Sequence, residues 1–174
     1  MGTNHSTVSS WSQRTLPNKY DQSSTNEAGV AYEYIIELCN TLQRDAWICI
    51  PHLADNNYIT QLGTLFSNDL DPSLNVYIEY SNEVWNWNFA QSHWVTDNGA
   101  NNISYPRRYA DRAIDAMNLF RNQFGGSTSR VKRVLGTQLT HNWLSNEILA
   151  QADPADYEYI SPSAYFGWSG GSCE

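Results

Sequence analysis

The sequence predicts an α/β fold, a partial TIM barrel amounting to about half of a (β/α)8 barrel. Three observations carry this. Stretches with helical periodicity alternate with short apolar runs in the order αβαβαβαβ, the pattern of a parallel sheet built from right-handed crossovers. At 174 residues the chain falls short of the roughly 250 that a complete barrel takes, so it has room for only part of one. No Gly-x-Gly-x-x-Gly run follows any predicted strand, which disfavours the dinucleotide-binding sheets that share the same alternation.

Taken in order, residues 1–25 are rich in Ser, Thr, Asn and Gln without a sustained period and read as an irregular segment. Trp11, Pro17 and Tyr20 argue that it is pinned against something. Over residues 26–43 the residues Val30, Ala31, Tyr34, Ile35, Leu38 and Leu42 recur at helical spacing behind Asn26, a plausible cap. Residues 47–51, Trp-Ile-Cys-Ile-Pro, have the character of a buried strand. A helix over 57–69 precedes residues 75–81, whose β-branched and aromatic content makes the clearest strand in the chain. After a polar, Asn-rich insertion come a helix over 105–124 closed by Gly125 and Gly126, and a strand over 131–138. A short helix over 143–151 and a strand over 157–161 complete a single partial-barrel domain that ends in a Gly-rich tail.

Composition narrows the function. A net charge of −8 offers no basic face for a phosphate backbone, so nucleic acid is not an expected partner. No run approaches the roughly 18 apolar residues of a membrane span, and no apolar signal core opens the chain. Cys39, Cys49 and Cys173 lack ligand-like spacing, and Cys39 and Cys49 sit in apolar runs as small hydrophobes. His5, His52, His93 and His141 form no ligand motif, so neither a metal nor a cofactor is expected. Seven Trp and eleven Tyr are unusually many, and such rings either fill a core or stack on sugar faces. Trp85 and Trp87, set in a polar Asn-rich stretch, favour the second use.

In folds of this class the working groups lie at the carboxyl ends of the strands. The residues so placed are His52 and Asp55, then Asn82 and Glu83, then Gln138 and His141, and finally Ser163, Tyr165 and Trp168. The second set is the most informative. Glu83 stands beside an amide and two indoles at a strand tip, where partly apolar surroundings suit a general acid for a departing glycosidic oxygen. Asn82 is placed to bind a hydroxyl next to the reacting carbon. Strand alternation puts Glu79, Ser81 and Glu83 on one face, with Glu79 toward the interior as a supporting group. Asp55 is either the second carboxylate or a helix cap.

The run Val76-Tyr77-Ile78-Glu79-Tyr80-Ser81-Asn82-Glu83 resembles the fourth-strand motif of clan A glycoside hydrolases, the superfamily that contains the family 5 cellulases. The wider run from Gly2-Thr3-Asn4 through Ile50-Pro51-His52 to Trp85-Asn86 looks like a group of cellulose-associated bacterial barrel proteins. The resemblance implies that Glu83 is the acid/base, that the strands correspond to barrel strands three to six, and that residues 1–4 are the remnant of the end of strand two. It also implies that Tyr165 is an active-site aromatic and that His52 and His141 line the cleft. The superfamily's nucleophile is a Glu ending strand seven, which has no counterpart among these strands; Glu174 is the only carboxylate in the tail.

The expected function is therefore hydrolysis of a β-linked polysaccharide, endo-β-1,4-glucanase-like, with Glu83 as acid/base. Asn82, His52, Trp85, Trp87, His141, Tyr165 and Trp168 are expected to bind substrate, with Glu79 behind them. Two alternatives remain: a non-catalytic carbohydrate-binding domain, and an inactive fragment of a larger glycosidase. Half a barrel leaves strand edges unpaired, so a homodimer closed through those edges is expected as well. A polysaccharide substrate implies a secreted or extracellular parent protein.

Overall fold

A computed structural model describes residues 2–23 and 29–163. Four parallel strands, β1 (Ala46–Ile50), β2 (Val76–Tyr80), β3 (Val131–Gln138) and β4 (Tyr159–Ser163), form one sheet in the order β1-β2-β3-β4. Each strand pairs with the next in the chain, in registers that set Ile50 opposite Tyr80, Glu79 opposite Val134 and Gln138 opposite Ser163. The helices are α1 (Tyr32–Leu42), α2 (Asn56–Asp69), α3 (Ala90–Asn98), α4 (Tyr105–Arg121) and α5 (Asn142–Gln151). The architecture is α/β with a four-stranded parallel sheet.

Alternation along the strands separates the two faces. Ala46, Ile48, Ile50, Val76, Ile78, Tyr80, Val131 and Leu135 are fully buried in the core that the sheet forms with the helices. Tyr58, Ile59, Leu62 and Phe66 of α2, and Tyr109, Ala113, Met117 and Phe120 of α4, fill it from the helical side. The opposite face carries Trp47, Cys49, Tyr77, Glu79, Val134 and Tyr159. There Trp47 stacks on Tyr77 with ring centres 5.5 Å apart and planes 6° from parallel, and Tyr77 lies 5.4 Å from Tyr159. Trp47 and Tyr159 remain 45% and 46% exposed, so the helices cover one face and leave these rings on the other.

The expected elements occur with shifted ends and one addition. The N-terminal segment is pinned as anticipated: Trp11, in a single 3-10 turn (Trp11–Gln13), packs edge-on to Tyr58 with ring centres 5.3 Å apart. Strand β4 starts two residues later than its composition suggests, because Glu158 is drawn out of it into a bidentate pair with the buried Arg133. The helix expected to close at Gly125 and Gly126 ends at Arg121 and continues as 3-10 turns (Asn122–Arg130), with Gly125 taking a positive φ of 51°. The Asn-rich insertion holds α3, which buries only Gln91, Ser92 and Val95 and so has no apolar stripe to reveal it.

On α1 the periodicity marks the wrong side. The helix buries Tyr32, Ile36 and Cys39, whereas Tyr34, Leu38 and Leu42 are exposed. Two apolar stripes share this helix, and only contact with the sheet decides which is inside. The expected cap Asn26 lies outside the described residues, and the helix follows Ala31. Among the described residues no helix is long and apolar enough to cross a membrane.

Candidate active site at the carboxyl ends of the strands

Strand β2 stops at Tyr80 because the next residues leave extended geometry: Ser81 has φ 60° and Glu83 φ 44°. Neither is a glycine, and a left-handed conformation costs such a residue about 1 kcal/mol or more. The expected alternation of Glu79, Ser81 and Glu83 on one face therefore fails beyond Tyr80. The kinked backbone, not strand pleat, aims Glu83. The chain is held in this shape by Ser81 N–H donating to Ile50 O (2.8 Å) and Asn86 N–H to Glu83 O (2.8 Å).

Three segments are tied together at this tip by one buried amide. Gln91 of α3 donates through Nε2 to Asn4 Oδ1 (2.8 Å) and to Asn82 O (2.7 Å), and its Oε1 accepts from His5 N–H (3.2 Å). Asn82 in turn donates its side-chain amide to Asn4 Oδ1 at 3.0 Å. The expected sugar ligand thus fixes the N-terminal segment beside the tip of β2. Sequence reasoning missed Gln91, since a polar residue in a helix without an apolar stripe carries no signal of burial.

Asn86 was another omission. Its Nδ2 donates to Glu83 Oε2 at 3.0 Å, and its carbonyl accepts from Phe89 N–H and Ser92 Oγ. Asn86 also lines an open groove of about 300 Å³ together with Trp85, Trp87, Asn88 and Gln138. Glu83 is not itself part of that lining, but its hydrogen-bond partner Asn86 is. Trp85 is 9% exposed and inserts against Gly136, while Trp87 is 48% exposed.

Behind the tip lies Glu79. Its Oε2 accepts from Trp47 Nε1 at 3.4 Å, and its Oε1 sits over Gly136, the residue on β3 with no side chain to displace it. Burial raises the Glu79 carboxyl to a pKa of about 7; the Trp47 hydrogen bond opposes this and the charge of Glu83 adds to it. Burial and the Glu79 charge also push the nearby Cys49 thiol and Tyr109 hydroxyl upward.

The remaining expected residues divide. Asp55 is a helix cap: its Oδ1 accepts from Tyr58 N–H at 2.6 Å at the start of α2, and its own N–H donates to Ser9 O. His141 caps α5 through Nδ1, accepting from Leu144 N–H at 3.3 Å, with its ring exposed beside Trp143. His52 is buried, edge-on to Trp94 at 5.9 Å, and burial lowers its pKa to about 4; it is a neutral packed ring and does not line the groove. Tyr165 and Trp168, like Glu174 and Cys173, lie outside the described residues. Among the described residues no group of three or more His, Cys, Asp or Glu side chains is arranged to hold a metal ion.

The chain matches no family model, no curated protein and no solved structure.

Proposed function

We propose that this domain is the acid/base-bearing part of a barrel-type glycoside hydrolase acting on β-linked polysaccharide, with Glu83 as the proton donor. The observation that carries the reading is the placement of Glu83. A carboxylate at the end of a central parallel strand is held in a left-handed conformation and hydrogen-bonded to an amide that lines an indole-walled groove. Strain of this kind persists only where neighbouring structure imposes it, and strand ends are where α/β folds carry their chemistry.

In this reading a sugar ring lies in the groove against the half-exposed Trp87, since Trp85, expected to stack on sugar, is instead packed in the core, and Asn86 and Gln138 meet its hydroxyls. Glu83 protonates the departing oxygen as the C1–O bond breaks, and water then adds to C1 and gives its proton to the Glu83 carboxylate, which restores the acid. Glu79 sits behind it. Burial, to which the charge of Glu83 adds, favours the protonated form of Glu79. The resemblance of the β2 motif to clan A supports reading the sheet as four consecutive strands of a barrel, its uncovered face turned inward. A polysaccharide substrate further suggests that the protein works outside the cell.

A second reading has its own support. Asp55 caps α2 through Oδ1, which leaves the second carboxylate unassigned, so a domain that binds glycan without cleaving it also fits the groove. Titration with cello-oligosaccharides, followed by an assay for reducing ends, separates the two. Release of reducing ends supports the hydrolase, and binding without release supports the carbohydrate-binding domain.

A further inference from the structure

The turn that aims Glu83 outruns the sheet. Ser81 N–H still bonds to Ile50 O of β1, but pairing with β3 stops at Glu79 and Val134. Two residues further along β3, Gly136 N–H donates to the buried Tyr109 hydroxyl at 2.8 Å. Ser81 is fully buried and its Oγ has no hydrogen-bond partner among the described residues, so its side chain does not brace the turn. Beyond Ser81 the backbone is gripped at the Asn82 carbonyl, where Gln91 Nε2 donates at 2.7 Å. A peptide unit is planar, so fixing the Asn82 oxygen fixes the direction of the Glu83 N–H and the axis about which φ of Glu83 turns. That φ is 44°, a value a glutamate keeps only where its surroundings impose it.

We propose that Gln91 is a positioning residue for Glu83: it fixes the peptide plane that aims the carboxylate, and through Asn4 it makes the N-terminal segment part of the site. The proposal rests on the proton-donor reading above and adds the residue that holds the donor. The chemistry at this point selects a glutamine. Gln91 is fully buried in the first turn of α3, and both of its amide hydrogens meet acceptors, Asn82 O and Asn4 Oδ1. Asn4 Oδ1 also accepts from Asn82 Nδ2, which closes a triangle of three amides around the turn. A glutamate of the same shape has no hydrogens to give and sets its carboxylate against two acceptor oxygens. Anchoring α3 alone asks for no such pair of donors, since an apolar side chain buries as well.

The parent protein, Gln91→Glu, Asn4→Leu and Asn4→Asp are compared in two measurements. NMR reads the Glu83 HN–Hα coupling, which reports φ, and the exchange of the Asn86 amide, which donates to Glu83 O. Kinetics reads turnover of β-glucan and of a dinitrophenyl β-glycoside, whose leaving group needs no proton. Gln91→Glu and Asn4→Leu should change the coupling and speed Asn86 exchange about tenfold. They should also cut kcat on β-glucan about 10²-fold, with KM little changed and far less loss on the activated glycoside. Asn4→Asp, which keeps an acceptor at that position, should recover most of both. Asn4 is exposed, so its variants carry the test if Gln91→Glu does not fold. An unchanged coupling in folded Gln91→Glu and Asn4→Leu, equal losses on the two substrates, or an Asn4→Asp as impaired as Asn4→Leu overturns the proposal. Failure of the hydrolase reading looks different: the parent releases no reducing ends while coupling and exchange still respond to Gln91, so the hold on Glu83 stands and the chemistry assigned to it falls.

Discussion

Glu79 and Gly136 occupy each other's space: a Cβ added to Gly136 would lie 2.5 Å from Glu79 Oε1. The carboxyl on β2 is therefore seated over bare backbone on β3, closed in by Trp85 and by the hydroxyl of Tyr109, both within 3.4 Å of that same point. This seat explains how a Glu on a sheet face with no helical cover still becomes buried enough to bind its proton near neutral pH.

Gly136→Ala tests the seat. The added methyl forces the Glu79 side chain aside, costs about 1–3 kcal/mol and returns the carboxyl toward its ordinary titration range. Chemical denaturation reads the first effect, and NMR titration of the Glu79 carboxyl reads the second. An unchanged midpoint with an unchanged titration contradicts the packing described.

The pH dependence of stability follows from two groups with opposite signs. Glu79, raised to about 7, adds stability that is complete below its ordinary value of 4.5 and is lost as pH rises through 7. His52, lowered to about 4, adds stability that is complete above its ordinary value of 6.5 and is lost as pH falls through 4. Between these limits the two slopes oppose each other. Glu79→Gln removes the first, so the variant should gain stability relative to the parent as pH rises from 4.5 to 7. Parallel curves for parent and variant rule this out.

Asp55→Ala separates capping from catalysis. Loss of the bond to Tyr58 N–H should destabilise the protein by about 1 kcal/mol, or about 2–4 °C in Tm, and leave glycan turnover untouched. Loss of turnover in a folded Asp55→Asn variant would restore the carboxylate to the chemistry.

The alternation of elements, the extent of β3 and the strand tip bearing Glu83 were all legible in the sequence, because short β-branched runs and a carboxylate among indoles are local signals. What was not legible depended on contacts between distant segments. On α1 it is Tyr32, Ile36 and Cys39 that face the core, Tyr32 against Phe66 and Tyr58 of α2, and on α3 the buried polar Gln91 joins Asn4 to Asn82. Asp55 and His141 both follow strands, which makes them read as site residues. Each accepts one backbone N–H in the first turn of the helix after it, which for Asp55 is the capping role its position also allows.

The barrel reading extends to a second copy of the chain. Among the described residues β1 and β4 are the edges of the sheet, and Trp47 and Tyr159 stand half-exposed on its uncovered face close to those edges. Sedimentation velocity at tens of micromolar should show a dimer, and a Trp47→Ser, Tyr159→Ser double variant should shift it toward monomer. A parent protein that stays monomeric at that concentration contradicts the second copy.

If Glu83 delivers a proton to a leaving glycosidic oxygen, the rate lost on removing it must depend on the leaving group. On unactivated β-glucan, Glu83→Gln should lose about 10²–10⁴ of the rate, while on a dinitrophenyl β-glycoside, whose leaving group departs without protonation, the loss should be far smaller. Equal losses on both substrates, or an unchanged rate on β-glucan, would rule out Glu83 as the proton donor.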